Sequence, residues 1–424
     1  MTRSSEVDLA VLVNGFPRLS ETFVLREILD LERRGFRLIV FALSDPGEPV
    51  RQEALGQLQA QVEYVPEAAT LSRRRVGRAH LALARNVGAD YLRGLAAVML
   101  TPGRTRSTMR RGSVLAQRLV ELGAPPLYIH FAHKPGTVGR FAARLAGVRY
   151  GMSCHAKDIW ATPPEELGPK LRDAEVVLTC TDVGRGELRR HAGATPVRLV
   201  YHGVDVEMFM PRIAVPGPPR VLTVGRLVDK KGHDTLIRAA GLLRDDGVEF
   251  TLRIAGDGPE WPRLQRLVHE LDLAWHVTFL GPVNTVEVHS EYASASVFAL
   301  ACRRLANGDR DGLPNVLLEA MVHGLPVVGT RQAGVAEAVE HECTGLLAAP
   351  DDPAALADAL RRVVTDPELG HRLGAAGQVS VRKRFDYRLL LPQVPTALAQ
   401  AGLIPEREPA WSPLGPADPE LEPA

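Results

Sequence analysis

The feature that most restricts the fold is a double alternation. Short apolar runs of strand length recur between longer stretches with helical spacing, and the pattern plays through twice. The first round has runs at Val7–Val13, Arg37–Leu43, Leu127–Phe131, Arg149–Cys154, Val176–Cys180 and Val197–Tyr201. The second has Arg220–Val224, Thr251–Ala255, His276–Leu280, Ser296–Ala301, Pro326–Thr330 and Gly345–Ala348. Strands that alternate with helices pair in parallel, because each crossover returns the chain to the same end of the sheet. Between the rounds lies PRIAVPGPP (211–219), whose prolines suit a linker. The expected fold class is therefore α/β: two Rossmann-like, doubly wound parallel-sheet domains facing across a cleft. The expected division is 1–205 for the first domain, 206–219 for the linker and 220–385 for the second. A C-terminal helix at 386–404 is expected to return to the first domain, and the proline-rich, acidic stretch 405–424 to be a disordered tail. Within the first round, Glu21–Arg34 reads as a helix with Ser20 as N-cap and Gly35 as the residue that ends it.

Charge and cysteine usage exclude several functions. A net charge of +1 over 424 residues lacks the basic excess of a dedicated nucleic-acid binder, so no nucleic-acid partner is expected. The four cysteines, Cys154, Cys180, Cys302 and Cys343, show no CxxC spacing and fit reduced thiols in a cytosolic protein better than a disulfide framework or a zinc site. No run reaches the ~18 apolar residues of a membrane span, and the first apolar run lacks the flanks of a signal peptide. The expected location is cytoplasmic, with any membrane association peripheral.

Two segments carry residues suited to phosphate. In VLTVGRLVDKKGHDTLI (221–237), Gly225 follows a strand and lets backbone approach a ligand, while Arg226, Lys230 and Lys231 supply charge. A solvated basic turn is the plainer alternative. In GDRDGLPNVLLEAMVHGLPVVGT (308–330), Gly312 allows a tight turn, Pro314 suits a first helical turn, and Asn315–His323 continue as helix. The unpaired amides at such a start form an anion site, and Glu319, one turn further in, is placed to bond a ribose or to cap a neighbouring loop. Asp309-Arg310-Asp311 has the DxD pattern that can share a divalent metal. The adjacent cations already supply positive charge, so no metal and no cofactor is expected.

Taken together these segments resemble glycosyltransferase family 4, whose signature places an acidic residue, seven positions and then Glu. Asp311–Glu319 has that spacing, with Asp where the family more often has Glu, and GLPVV (324–328), GRLVDKKG (225–232), AGDGPE (255–260) and YHGVDVEMF (201–209) accompany it. The first half is similar to exopolysaccharide transferases of the colanic acid and amylovoran type through NGFPRLSETFVLREI (14–28), IHFAHKPGTVGRFA (129–142) and SCHAKDIW (153–160). The resemblance implies the GT-B fold and a retaining transfer of sugar from a nucleotide-diphosphate sugar to a glycan or lipid-diphosphate-linked acceptor. It implies Arg226 and Lys231 as diphosphate ligands and Glu319 as ribose ligand. Asp311 would face the sugar hydroxyls beside Gly225 and the backbone of Gly312, Leu313, Pro314, Asn315 and Val316. His155 would lie close to the transferring sugar, with Asp158 orienting it or capping the next turn. His130 and Lys134 are further candidates, and the first loop, reduced to Asn14-Gly15 followed by Ser20-Glu21, would serve the donor through Gly15 and the acceptor through Ser20 and Glu21.

Between Arg73 and Arg118 stand eleven arginines and one acid, Asp90, interleaved with Leu81, Leu83, Leu92, Leu95, Val98 and Met99. Such a stretch suits an anionic membrane surface or a solvated face over ordinary core helices. Two other activities fit the same fold: a sugar-nucleotide epimerase, and a catalytically silent binding subunit of a polysaccharide assembly complex. A nicotinamide-dependent oxidoreductase does not fit, since no GxGxxG follows an expected strand.

Overall fold

Two all-parallel sheets realise the two rounds of the sequence. The computed structural model describes residues 7–18, 21–48, 53–99 and 105–408. The first sheet contains β1 (Leu9–Gly15), β2 (Leu38–Ser44), β3 (Gln61–Tyr64), β4 (Leu127–His130), β5 (Tyr150–Cys154), β6 (Val176–Thr179) and β7 (Val197–Leu199). The second contains β8 (Arg220–Val224), β9 (Thr251–Ala255), β10 (Val277–Gly281), β11 (Val297–Leu300), β12 (Val327–Thr330) and β13 (Leu346–Ala348). Their orders are β3-β2-β1-β4-β5-β6-β7 and β10-β9-β8-β11-β12-β13. Each order reverses beside its first strand, the position at which open parallel sheets hold ligands outside the carboxyl ends of the strands.

Helices on both faces explain why the central strands are apolar throughout rather than at alternate positions. In β1 every residue from Leu9 to Val13 is fully buried. Ala10 and Leu12 join one core with Leu115, Leu119, Ile129 and Phe141. Leu9, Val11 and Val13 join the other with Leu25, Ile28, Leu398 and Leu403. In the second sheet, Val221, Leu252, Ile254, Val297 and Val328 pack with Leu236, Ile237, Leu356 and Leu360. The strand the sequence did not suggest is β3, an edge strand whose residues are all exposed or half-buried and which therefore has no apolar run.

The chain forms two compact units. Of the described residues, one comprises those up to Cys180, Gly184–His202 and 388–408; the other comprises Thr181–Val183 and Gly203–Tyr387. The expected helix at 386–404 is two helices, Tyr387–Leu390 and Gln393–Gln400. Val394, Leu398 and Leu403 are buried in the first unit's core. Of the stretch read as a tail, 405–408 are described, with the Arg407 guanidinium over the Phe36 ring at 4.3 Å, and 409–424 lie outside the described residues. The N-cap residue of the first helix, Thr22–Arg33, is Glu21; Ser20, expected there, lies outside the described residues.

The arginine-rich stretch folds as Arg73–Val87, Ala89–Met99 and Arg106–Glu121. Most of its described arginines are exposed, as are Leu81, Leu92 and Met99. Arg111 and Arg118 depart from that pattern. Arg111 is buried and donates to the Leu43 and Val65 carbonyls, and Arg118 pairs with Glu63 at 2.7 Å. No helix among the described residues is long and apolar enough to cross a membrane.

Phe141 is fully buried between the first sheet and these helices. Phe141→Ala should lower unfolding free energy by about 3–5 kcal/mol in a denaturant titration. Leu81→Ala, at a site 52% exposed, should stay within about 0.5 kcal/mol of wild type.

Candidate functional site

In the second unit, the loop after β8 is pressed against the loop after β9. The Gly225 N–H donates to Ala255 at 2.9 Å. Gly256 has φ of +135°, and a Cβ there would run into the Gly225 carbonyl, so both geometry and space require glycine. The chain then turns through Asp229–Lys231 into Gly232, at φ +66°, before the helix His233–Asp245. Arg226 is exposed, and its carbonyl accepts from His233 Nε2 at 3.3 Å.

This turn delivers two lysines to the acidic pair. Lys231 Nζ stands 2.5 Å from Asp311 Oδ2. Lys230 Nζ stands 3.2 Å from Asp309 and 3.7 Å from Asp311. Burial pushes the Asp311 carboxyl up, but Lys231 and Lys230 together hold it below the usual carboxylate range. Burial likewise pulls the Lys231 ammonium down, and Asp311 more than compensates. The Cys302 thiol, donating to Asp311 at 3.6 Å, is pushed well up by burial and by that carboxylate. The sequence treated Lys231 and Asp311 as separate candidates; the structure brings them together as an ion pair.

The helix that follows spans Asn315–Val322, with Pro314 as its cap residue rather than inside the first turn. Gly312 and buried Leu313 lead into it, and Gly334 must be glycine because a Cβ there would meet the Gly312 carbonyl. The Asn315 Oδ1 is buried with no hydrogen-bond partner. Tyr292, from the helix Thr285–Ser294, is fully buried and its hydroxyl lies 3.1 Å from both Glu319 Oε2 and the Val316 carbonyl. It fixes the Glu319 carboxylate beside the helix start, a role no sequence motif announced.

In the first unit, His155 follows β5 and is only 8% exposed, with both ring nitrogens unbonded. Its ring is packed by Phe131 at 4.6 Å, Phe23 at 4.8 Å and His202 at 5.1 Å. Phe131 holds φ of +76°, a conformation uncommon for a bulky residue. Burial, reinforced by the neighbouring histidines, takes the His155 imidazole well below its usual range, and burial takes His202 to about 3. Asp158 settles the choice left by the sequence: its Oδ2 accepts from the His155 backbone N–H at 2.9 Å. Its Oδ1 accepts from the His133 N–H at 2.9 Å and faces His133 Nδ1 at 2.6 Å. Asp158 thus caps the turn and orients His133, not the His155 ring.

His130 is fully buried, 3.6 Å from Glu27, whose carboxylate accepts from Tyr128 Oη at 3.0 Å. It therefore bears on the site only through its neighbours, such as the His155 ring at 6.2 Å. Lys134 is exposed at the start of the helix Lys134–Ala146. Glu21 is half-buried beside Arg18, and burial raises its carboxyl to about 7. Gly15 is buried at the end of β1, facing Ser44 and Arg18.

Residues 207–379 match the family described as glycosyl transferases group 1. The chain is 30% identical over 359 residues, 81% of its length and 87% of the relative's, to a putative colanic acid biosynthesis glycosyltransferase of Salmonella typhimurium. It is 34% identical over 263 residues, 58% of its length and 68% of the relative's, to a GDP-mannose-dependent alpha-(1-6)-phosphatidylinositol monomannoside mannosyltransferase of Mycobacterium tuberculosis. Among solved structures, Anabaena HepE in complex with UDP aligns with a TM-score of 0.67 at 18% identity, over 93% of this chain and all of that one. Sucrose-phosphate synthase of Thermosynechococcus elongatus aligns with a TM-score of 0.70 at 21% identity, over 93% of this chain and 98% of that one.

Glu27 gives a test of the buried network. Burial raises its carboxyl from 4.5 to about 8. A raised folded value means that its contribution to stability is complete below the unfolded value and is lost as pH rises through the folded one. The melting temperature should therefore carry a falling component between roughly pH 4.5 and 8, which Glu27→Gln removes. Parallel melting profiles for the two proteins across that window would contradict the assignment.

Proposed function

The chain belongs to the group 1 glycosyl transferases and has their GT-B fold, and from that premise we propose that it transfers sugar from a nucleotide-diphosphate donor with retention, as a family 4 enzyme. The observation that carries this reading is the arrangement around Lys231: a fixed ammonium held by Asp311, on the same unit as the helix start at Asn315. Fixed cations and free amides stabilise the negative charge that builds on a leaving diphosphate without rearranging during reaction. Lys231, Arg226 and the backbone N–H groups of Asn315 and Val316 are assigned that role. Glu319, oriented by Tyr292, takes the ribose. Asp311 and the backbone from Gly312 to Asn315 take the sugar hydroxyls.

In the first unit His155 is assigned to the transferring sugar, positioning it or stabilising the oxocarbenium-like state. Its depressed basicity weighs against a general base. The bond from the anomeric carbon to the leaving diphosphate oxygen breaks as the bond to the acceptor oxygen forms on the same face. The acceptor's hydroxyl proton passes to the departing phosphate. No divalent metal is required in this reading: Lys230 and Lys231 already neutralise both carboxylates of the DxD segment.

The likeness to the colanic acid transferase favours exopolysaccharide or cell-envelope glycan synthesis, with a glycan or lipid-diphosphate-linked acceptor. Work at the inner face of a membrane suits the exposed arginines of Arg73–Met99 and the exposed Leu81, Leu92 and Met99.

Thermal unfolding with UDP, GDP and ADP and their sugars, with and without EDTA, tests the donor site. One base should stabilise the protein by about 2.7 kcal/mol at a hundredfold excess over its dissociation constant, undiminished by EDTA and reduced in Glu319→Ala. No stabilisation by any of them would favour a silent binding subunit. For the membrane surface, flotation with anionic vesicles should carry wild type to the lipid fraction in low salt and leave Arg74→Glu/Arg78→Glu/Arg85→Glu behind. Equal flotation of both proteins would rule that surface out.

A further inference from the structure

Three adjacent strands of the first sheet each end in a side chain that can ligate a soft metal. His155 follows β5 directly, Cys180 follows β6 directly, and His202 lies three residues beyond β7. In a parallel sheet such ends sit side by side, about 4.8 Å apart from strand to strand. β5 and β7 are two such spacings apart, yet a ring nitrogen of each histidine and the Cys180 sulfur all lie within 4.8 Å of one another. Both ring nitrogens of His155 are buried without a hydrogen-bond partner. Phe23 stacks on His202 at 3.9 Å and 2°, which fixes that ring's plane.

We propose that His155, Cys180 and His202 form a binding site for zinc, and that zinc there inhibits the enzyme by engaging His155. The inhibitory part rests on the assignment of His155 to the transferring sugar; the binding part does not. Zinc takes thiolate at about 2.3 Å and imidazole at about 2.0 Å, which sets ligand atoms somewhat under 4 Å apart. With the His202 ring held by Phe23, rotation of the His155 and Cys180 side chains is what would close the present spacing to that value. Three protein ligands leave the fourth tetrahedral position to water, and the thiol proton of Cys180 is released to solvent when the sulfur binds. Metal-bound histidines normally donate their other nitrogen to a fixed oxygen, which raises affinity. Neither nitrogen of His155 has such a partner, so the site is an exchangeable one, suited to inhibition rather than to holding the fold together.

Cobalt(II), a spectroscopic stand-in for zinc, tests binding on the metal-stripped full chain. One equivalent should produce a thiolate-to-metal charge-transfer band and the intense visible bands of a four-coordinate site. Cys180→Ser should lose the charge-transfer band and Cys343→Ser, at an exposed thiol of the other unit, should keep it. His202→Gln, read by the visible bands, covers the case in which Cys180→Ser fails to fold. Absence of a thiolate band in wild type, or a band that follows Cys343 instead, overturns the site. In a transfer assay zinc should inhibit, EDTA should reverse it, and Cys180→Ser should need at least about ten times more zinc, the scale of affinity lost with even an outer-shell partner. Equal zinc sensitivity of the two proteins overturns the inhibitory role. A failure of the transferase reading itself would appear in the nucleotide stabilisation series and leave the cobalt spectra unaffected.

Discussion

Parallel pairing is the constraint on which everything else here depends. A parallel strand cannot reach its neighbour through a tight turn, so every connection must cross the sheet and every strand starts from the same edge. All the loops that follow strands are thereby gathered at one edge of each sheet. Gly15, His155, Cys180 and His202 lie at that edge of the first sheet; Gly225, Gly256 and Asp311 lie at that edge of the second. Residues distant in sequence become neighbours because the ladder leaves them nowhere else to go.

The second constraint is electrostatic. Removing a lysine and an aspartate from water together is tolerable only if each satisfies the other. The Lys231–Asp311 pair meets that condition, and Lys230 extends it to Asp309. The first unit solves its burial differently. His130, His155 and His202 are kept neutral by desolvation, and Glu27 shares its carboxyl with Tyr128.

The fold class was legible because buried parallel strands read as short, largely apolar runs between helices, and twelve of the strands announced themselves that way even where, as in β7 and β10, one residue is exposed. The edge strand β3 did not, since its residues face solvent. In the site, Gly225 was legible as a glycine after a strand where backbone comes close; that its close neighbour is Gly256 of the next loop appears only in the fold. Tyr292 beside Glu319 was not, because a tyrosine on an amphipathic helix looks like any core residue until its partner is known. The same holds for Glu27 and Tyr128, separated by 101 positions. Asp158 could be read as a capping residue or as a partner of the His155 ring, and the fold decides for the cap and adds His133 as the ring that it orients.

The return of the chain to its first unit has a consequence for the order in which the protein matures. Leu398 and Leu403 press against Gly151 in the middle of the first sheet, at the distance where an added methyl would collide with Leu403. During synthesis the second unit is complete once Tyr387 has emerged, whereas the first waits, with part of that sheet uncovered, for Leu398 and Leu403, made long after its strands. A nascent chain of this protein therefore finishes its later half before its earlier one, and the waiting apolar face is what a chaperone at the ribosome would meet.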